Sequence, residues 1–125
     1  MKKRVLVIDD SIVILDLVQL MLQHEGYEVF TAQDGLVALE QLEMTTPDLI
    51  LLDLIMPRMS GYDFIQEVQQ HRKHFLSIPI ILLTAVQQTQ DQFEQLGAAG
   101  YLQKPFRRSE LLSKLSDLLS NPHSP

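Results

Sequence analysis

Asp48-Leu49-Ile50-Leu51-Leu52-Asp53 sets four consecutive apolar residues directly before a carboxylate. A run this short and this apolar reads as a strand buried on both faces, the condition of a central strand in a parallel sheet. Val5-Ile8 before Asp9-Asp10 and Ile80-Leu83 before Thr84 repeat the pattern. Outward from these, the runs Arg4-Ile8, Glu28-Ala32, Asp48-Leu52, Pro79-Leu83 and Tyr101-Gln103 alternate with longer stretches of helical period. That alternation predicts repeated strand and helix units, hence an α/β fold with a parallel sheet. Tyr27-Glu28-Val29-Phe30-Thr31 mixes polar with apolar residues and Tyr101-Gln103 is short, so these two are the expected edges.

Between the strands, Ser11 predicts the cap of a first helix that runs to about Glu25, with Gly26 as its left-handed stop. Its residues are apolar on nearly every side. A second helix starts near Asp34-Gly35, carries Leu36, Leu39 and Leu42 on one face and ends before Pro47. A third spans about Gly61 to Arg72. Gln87 to Leu96 holds five glutamines, with Phe93 and Leu96 as its large apolar anchors, so a helix there is the least firmly held. Leu111, Leu112, Leu115, Leu118 and Leu119 define a last helix whose leucine face packs on the sheet. Residues 121–125 have the composition of a tail or the start of a linker, which leaves residues 1–120 as one domain.

The chain has 125 residues, 46% of them hydrophobic, enough for one core of ordinary size. Sixteen acidic residues against ten basic ones give a net charge of -6, which opposes the phosphate contacts that dominate nucleic-acid affinity. Direct nucleic-acid binding is therefore not expected. With no cysteine, neither a disulfide framework nor a thiolate metal site is available. The apolar run after the basic start is too short for a signal peptide, and no window approaches the ~20 apolar residues of a membrane helix. The expected location is cytoplasmic.

The polar residues are informative by position. Asp9-Asp10, Asp53, Thr84 and Lys104 each follow a predicted strand, and in an open parallel sheet those strand ends share the edge where ligands bind. Taken singly, Asp10 reads as a helix cap, Asp53 as a loop acid, Thr84 as a turn hydroxyl and Lys104 as a surface charge. Four coincidences at one edge are the weaker explanation. Carboxylates brought this close repel, and attract a hard, oxygen-preferring cation such as Mg2+, which commonly meets a phosphate. An Asp carboxylate can attack phosphorus, a transfer that needs chiefly positioning and neutralisation of the phosphoryl oxygens. Asp53 is the best nucleophile, with Lys104 and the Thr84 hydroxyl as partners for the phosphoryl oxygens.

Val7-Ile8-Asp9-Asp10-Ser11, Asp48 to Pro57 with Gly61, Leu83-Thr84-Ala85, and Gly97 to Phe106 together resemble the receiver domain of two-component response regulators, over essentially Lys3 to Leu119. The resemblance implies a flavodoxin-like five-stranded sheet in order 2-1-3-4-5 with helices on both faces. It implies Asp53 as phosphoacceptor and Asp10 and Asp53 as Mg2+ ligands, with Asp9 acting through metal-bound water and the Ile55 carbonyl completing the set. It further implies Thr84 and Tyr101 as switch residues, a cis peptide between Lys104 and Pro105, and an output face made of the fourth helix, fifth strand and fifth helix. A sensor histidine kinase or phosphotransfer protein is the implied donor, an unidentified protein the output partner, and a phosphorylation-linked dimer through the last two helices one form of association. Such a domain is a signalling switch, not an enzyme.

Departures from the family pattern carry their own expectations. The Thr84 to Lys104 interval is slightly short, which predicts a trimmed loop and fourth helix. Ile55 and Val86 are apolar where they would border the acyl phosphate, so neither orients an attacking water and the phosphorylated form should be long-lived. Three rivals stand beside this reading. An aspartyl-phosphate phosphatase needs a second acid two residues after its nucleophile, where Ile55 stands. A flavin carrier wants glycine and hydroxyl residues in the first strand-helix turn, which here is Asp9-Asp10-Ser11. An interaction module that does not use phosphate would have no need of the full set of chemical residues present. His71 and His74 have helical spacing but lie away from the carboxylates, and all four histidines read as solvated.

Overall fold

A computed structural model describes residues 2–85, 87 and 90–119. The chain alternates β1 (Arg4–Ile8), α1 (Ile12–His24), β2 (Glu28–Ala32), α2 (Gly35–Thr45), β3 (Leu49–Asp53), α3 (Gly61–His71), β4 (Ile80–Thr84), α4 (Gln90–Gln95), β5 (Gly100–Gln103) and α5 (Arg108–Leu119), with a 3-10 turn at Lys73–Phe75. The strands form one parallel sheet in order β2-β1-β3-β4-β5, so the two stretches of mixed or short character are its edges. This is the flavodoxin-like arrangement implied by the motifs.

The sheet separates two apolar clusters. Leu6, Ile8, Ile50, Leu52 and Leu82 face one side with Ala38 and Leu42 of α2, Phe64 and Val68 of α3, and the half-buried Phe93 of α4. Val7, Leu49, Leu51, Ile81 and Leu83 face the other with Val18 and Leu22 of α1 and Leu111 and Leu115 of α5. Period-two alternation along each strand feeds both layers, which is why the central strands must be apolar at every position. Each fully buried Leu or Ile contributes about 1.5–3 kcal/mol, against roughly 1 kcal/mol for a helix cap. The central strands therefore carry the scaffold, and the caps tune it.

Several expectations shift. β3 and β4 run one residue beyond the apolar stretch, so Asp53 and Thr84 lie inside the ladder, opposite Leu83 and Gln103. Leu36 is 44% exposed and does not share a face with Leu39 and Leu42. The buried face of α2 is Gly35, Ala38, Leu39, Leu42 and Thr45, the i, i+3, i+4, i+7 stripe of a 3.6-residue period. Spacing by three throughout drifts off it. In α1 the apolar excess is left outside, with Ile12, Val13, Leu17 and Leu20 exposed and Leu15, Val18 and Leu22 buried. α4 has six residues, none of them buried. Val86, on which the expectation of a second apolar border rests, and residues 121–125, the expected tail, lie outside the described residues. No helix among the described residues is long and apolar enough to cross a membrane.

Candidate functional site

Asp9 and Asp10 follow β1, Asp53 ends β3, Thr84 ends β4, and Lys104 follows β5. Because all strands point the same way, these residues meet at one sheet edge. Carboxylate oxygens of Asp9, Asp10 and Asp53 lie within 4.8 Å of one another. Asp9 is fully buried and Asp53 nearly so, while Asp10 is exposed. Lys104 Nζ donates to Asp9 Oδ2 at 2.7 Å and stands 3.5 Å from Asp53 Oδ2. Main-chain N–H groups hold the other oxygens: Ser11 donates to Asp9 Oδ1 at 2.9 Å and Ile55 to Asp53 Oδ1 at 3.2 Å.

Burial, followed by the charge of Asp9, pushes the Asp53 carboxyl up to about 6; the Ile55 N–H and the Lys104 ammonium oppose the shift, and Asp10 adds to it. This is the signature of a group with too much negative charge and too little water. A hard divalent cation relieves both, and three carboxylates offering oxygens at mutual reach form a donor set that suits Mg2+. The residues present therefore fit the ion.

The remaining predicted residues occupy neighbouring positions. Ile55 follows Asp53 in the β3-α3 loop, with its side chain 67% exposed. Thr84 is buried, and its carbonyl accepts the Lys104 N–H at 2.7 Å. Lys104-Pro105 is a cis peptide. Tyr101, in the middle of β5, is not in the acid cluster; it is half-buried, with its ring tilted against Phe93 at a centroid distance of 5.6 Å. His24, His71 and His74 are exposed and stand outside the cluster, and His123 lies outside the described residues.

Two features escaped the sequence reading. A Cβ on Gly61 would come within 2.4 Å of the Asp53 carbonyl oxygen, so α3 starts against the backbone of the acceptor itself. Asp34, the N-cap of α2, also binds Arg58 of the β3-α3 loop. A glycine after Met-Pro-Arg-Met-Ser could have suggested the first. The second pairing spans 24 positions and left no local signal.

The family described as response regulator receiver domain matches residues 5–116. Among curated relatives, the probable transcriptional regulator ycf27 of Cyanophora paradoxa is 39% identical over 126 residues, covering 99% of this chain and 51% of its own length. The chain spans about half the length of the curated relatives it matches. Among solved structures, the chemotaxis protein CheY4 of Vibrio cholerae is 36% identical with a TM-score of 0.87, covering 95% of this chain and all of that one. Response regulator TrrA of Thermotoga maritima, solved in complex with Mg2+ and BeF, is 38% identical with a TM-score of 0.80, over 94% of this chain and 99% of that one.

Proposed function

This chain belongs to the response regulator receiver family, and from that we propose that it takes a phosphoryl group onto Asp53 with Mg2+ bound beside it, and that the modification changes a protein-binding face. Domains of this family are signalling modules and not enzymes in the ordinary sense. The observation that carries the proposal is the meeting of Asp9, Asp10 and Asp53 with the Lys104 ammonium at one sheet edge.

An Asp53 oxygen attacks the phosphorus of a phosphohistidine on a sensor histidine kinase or phosphotransfer protein. A P–O bond forms, the P–N bond breaks, and its electron pair stays on the imidazole nitrogen, which takes a proton from water. With a carboxyl that titrates near 6, Asp53 is mainly ionised and nucleophilic at neutral pH. When bound, Mg2+ neutralises the oxygens of the group in transfer. Asp10, Asp53 and the Ile55 carbonyl would hold it, with Asp9 reaching it through water. Lys104, bonded to Asp9 and 3.5 Å from Asp53, needs only a short swing to meet a phosphoryl oxygen. Thr84, at the end of the adjacent strand, supplies the hydroxyl for another.

Output follows from the same residues. Thr84 drawn toward the phosphoryl group would free space beside it, Tyr101 would rotate from Phe93 toward that space, and the α4-β5-α5 face would change. The partner that reads this face is a protein. The same reading puts the domain in the cytoplasm, with its phosphodonor.

Intact-protein mass after incubation with MgCl2 and acetyl phosphate tests the proposal. One added phosphoryl group is expected, lost in Asp53→Asn and with chelator. No adduct from either acetyl phosphate or a panel of phosphorylated kinases would leave the rival reading, an interaction module that does not use phosphate.

A further inference from the structure

The β3-α3 loop, residues 54–60, carries the Ile55 carbonyl. The exposed Ile55 side chain does nothing to anchor its own backbone, so beyond the Ile55 N–H donated to Asp53 Oδ1 at 3.2 Å, anchoring falls to its neighbours. Leu54 and Met56 are buried, and the Gly61 N–H closes the far end of the loop on the Leu54 carbonyl at 3.0 Å. Within the loop the Met59 N–H also donates to the Pro57 carbonyl at 2.8 Å, and a further hold comes from another element. Asp34 divides its carboxylate: Oδ1 accepts the Leu36 and Val37 N–H groups at 2.9 and 3.0 Å, and Oδ2 accepts both Nε, at 3.1 Å, and Nη2 of Arg58. Beside it the Gly35 N–H donates to the Met59 carbonyl at 3.2 Å. A Cβ on Gly35 would approach that same oxygen to 2.9 Å, so the two segments touch only because residue 35 is glycine. Arg58 makes its contact from a left-handed backbone, φ +65°, which glycine adopts more readily.

We infer that the Asp34–Arg58 pair is a positioning device for the Mg2+ site, fixing the loop segment that presents the Ile55 carbonyl; the inference rests on the reading of Asp53 and its cation given above. Asp34 is the fixed end, its side chain only 10% exposed and bonded to the start of α2, whereas the Arg58 side chain is 59% exposed. A pair with one solvated partner adds little to global stability. Its effect falls on the placement of the loop. Mg2+ tolerates little deviation from octahedral geometry and short ligand distances, so a slackened carbonyl weakens it more than it would a larger cation.

Arg58→Gly separates the two roles, because it cuts the pair while accepting the backbone angle. Asp34→Asn is its counterpart, since asparagine still caps α2. MgCl2 titrations of 15N-labelled protein at fixed ionic strength, followed by amide shifts, should show Mg2+ binding weakened by at least about threefold in each variant. The double variant should be no weaker than the worse single one. Arg58→Gly should unfold thermally, in chelator, at or above the wild-type temperature. Phosphorylation from acetyl phosphate should then need more Mg2+ for half its rate and reach the same rate at saturation, a split that loss of folding does not produce. Wild-type Mg2+ affinity in Arg58→Gly, alongside lost binding in Asp10→Asn, would overturn the positioning role and leave the site reading standing. Wild-type protein with no amide response to MgCl2 at Asp10 or Asp53 would overturn both.

Discussion

Lys104 sets its ammonium 2.7 Å from Oδ2 of Asp9, a carboxylate with no exposed surface, across 95 positions of sequence. Lys104→Met removes the cation and leaves Asp9 buried beside Asp53. Losing one partner of a buried pair costs 3–5 kcal/mol; Lys104 keeps some solvent contact, so about 2–3 kcal/mol is expected in chelator. Mg2+ should bind this variant more tightly, because a competing positive charge is gone. Urea unfolding with and without MgCl2 checks both signs, and a variant that Mg2+ fails to rescue would contradict the account.

Asp53 supplies a pH dependence. Its carboxyl is raised from the ordinary 3.8 to about 6, chiefly by burial, so the folded metal-free protein holds a proton there that the unfolded chain has already lost. Stability falls with rising pH where the folded state binds more protons. Asp53's contribution is therefore most favourable below about pH 4 and is lost as pH climbs through 6. Asp53→Asn should stabilise the metal-free protein at pH 7 by on the order of 1–3 kcal/mol, with the gain vanishing toward pH 4. Thermal scans of both proteins across that range in chelator will decide it; a constant difference would point to packing instead.

Ile55 bears on lifetime. An exposed isoleucine two residues after the acceptor cannot orient water onto an acyl phosphate. Ile55→Asn should shorten the phosphorylated state by roughly three- to tenfold, less than the 10²–10⁴ of full acid-base catalysis. Decay of the phosphoryl adduct by mass, at fixed Mg2+, is the readout, and equal half-lives would remove Ile55 from the explanation.

Gly61 touches backbone, which cannot step aside. With a new Cβ 2.4 Å from the Asp53 carbonyl oxygen and 2.8 Å from Leu54 Cα, Gly61→Ala should cost about 1–3 kcal/mol. The strain lands on the acceptor's own peptide, so phosphorylation should slow as well. Urea midpoints and adduct yield should fall together.

What could be read from sequence follows what is local. Four apolar residues before a carboxylate mark a buried strand and its active end without reference to the rest of the chain, and β1, β3 and β4 were legible for that reason. Strand order was not, because periodicity says which face is buried and nothing about neighbours; it came with the motif resemblance. Leu36 misled because three leucines at equal spacing look like a face, while Gly35 and Ala38, small and easily overlooked, belong to the buried stripe, Gly35 against Met59 of the β3-α3 loop and Ala38 in the core. The acid cluster was legible residue by residue, but its clasp was not: Arg58 looks like a solvated loop cation until the fold carries it to Asp34.

The sheet order has a further consequence during synthesis on the ribosome. After β1 and β2, every later strand is added to the same side, β3 then β4 then β5. Each newly docked strand leaves an open edge until the next segment emerges. β4, like β3 buried at every position in the finished protein, is a hazard while it stands as the edge, because an unpaired apolar edge invites pairing with another chain. A nascent chain stalled between Thr84 and Gly100 would present it, and β5, with Tyr101 half-buried and Gln103 exposed, finishes the sheet on an edge that water tolerates.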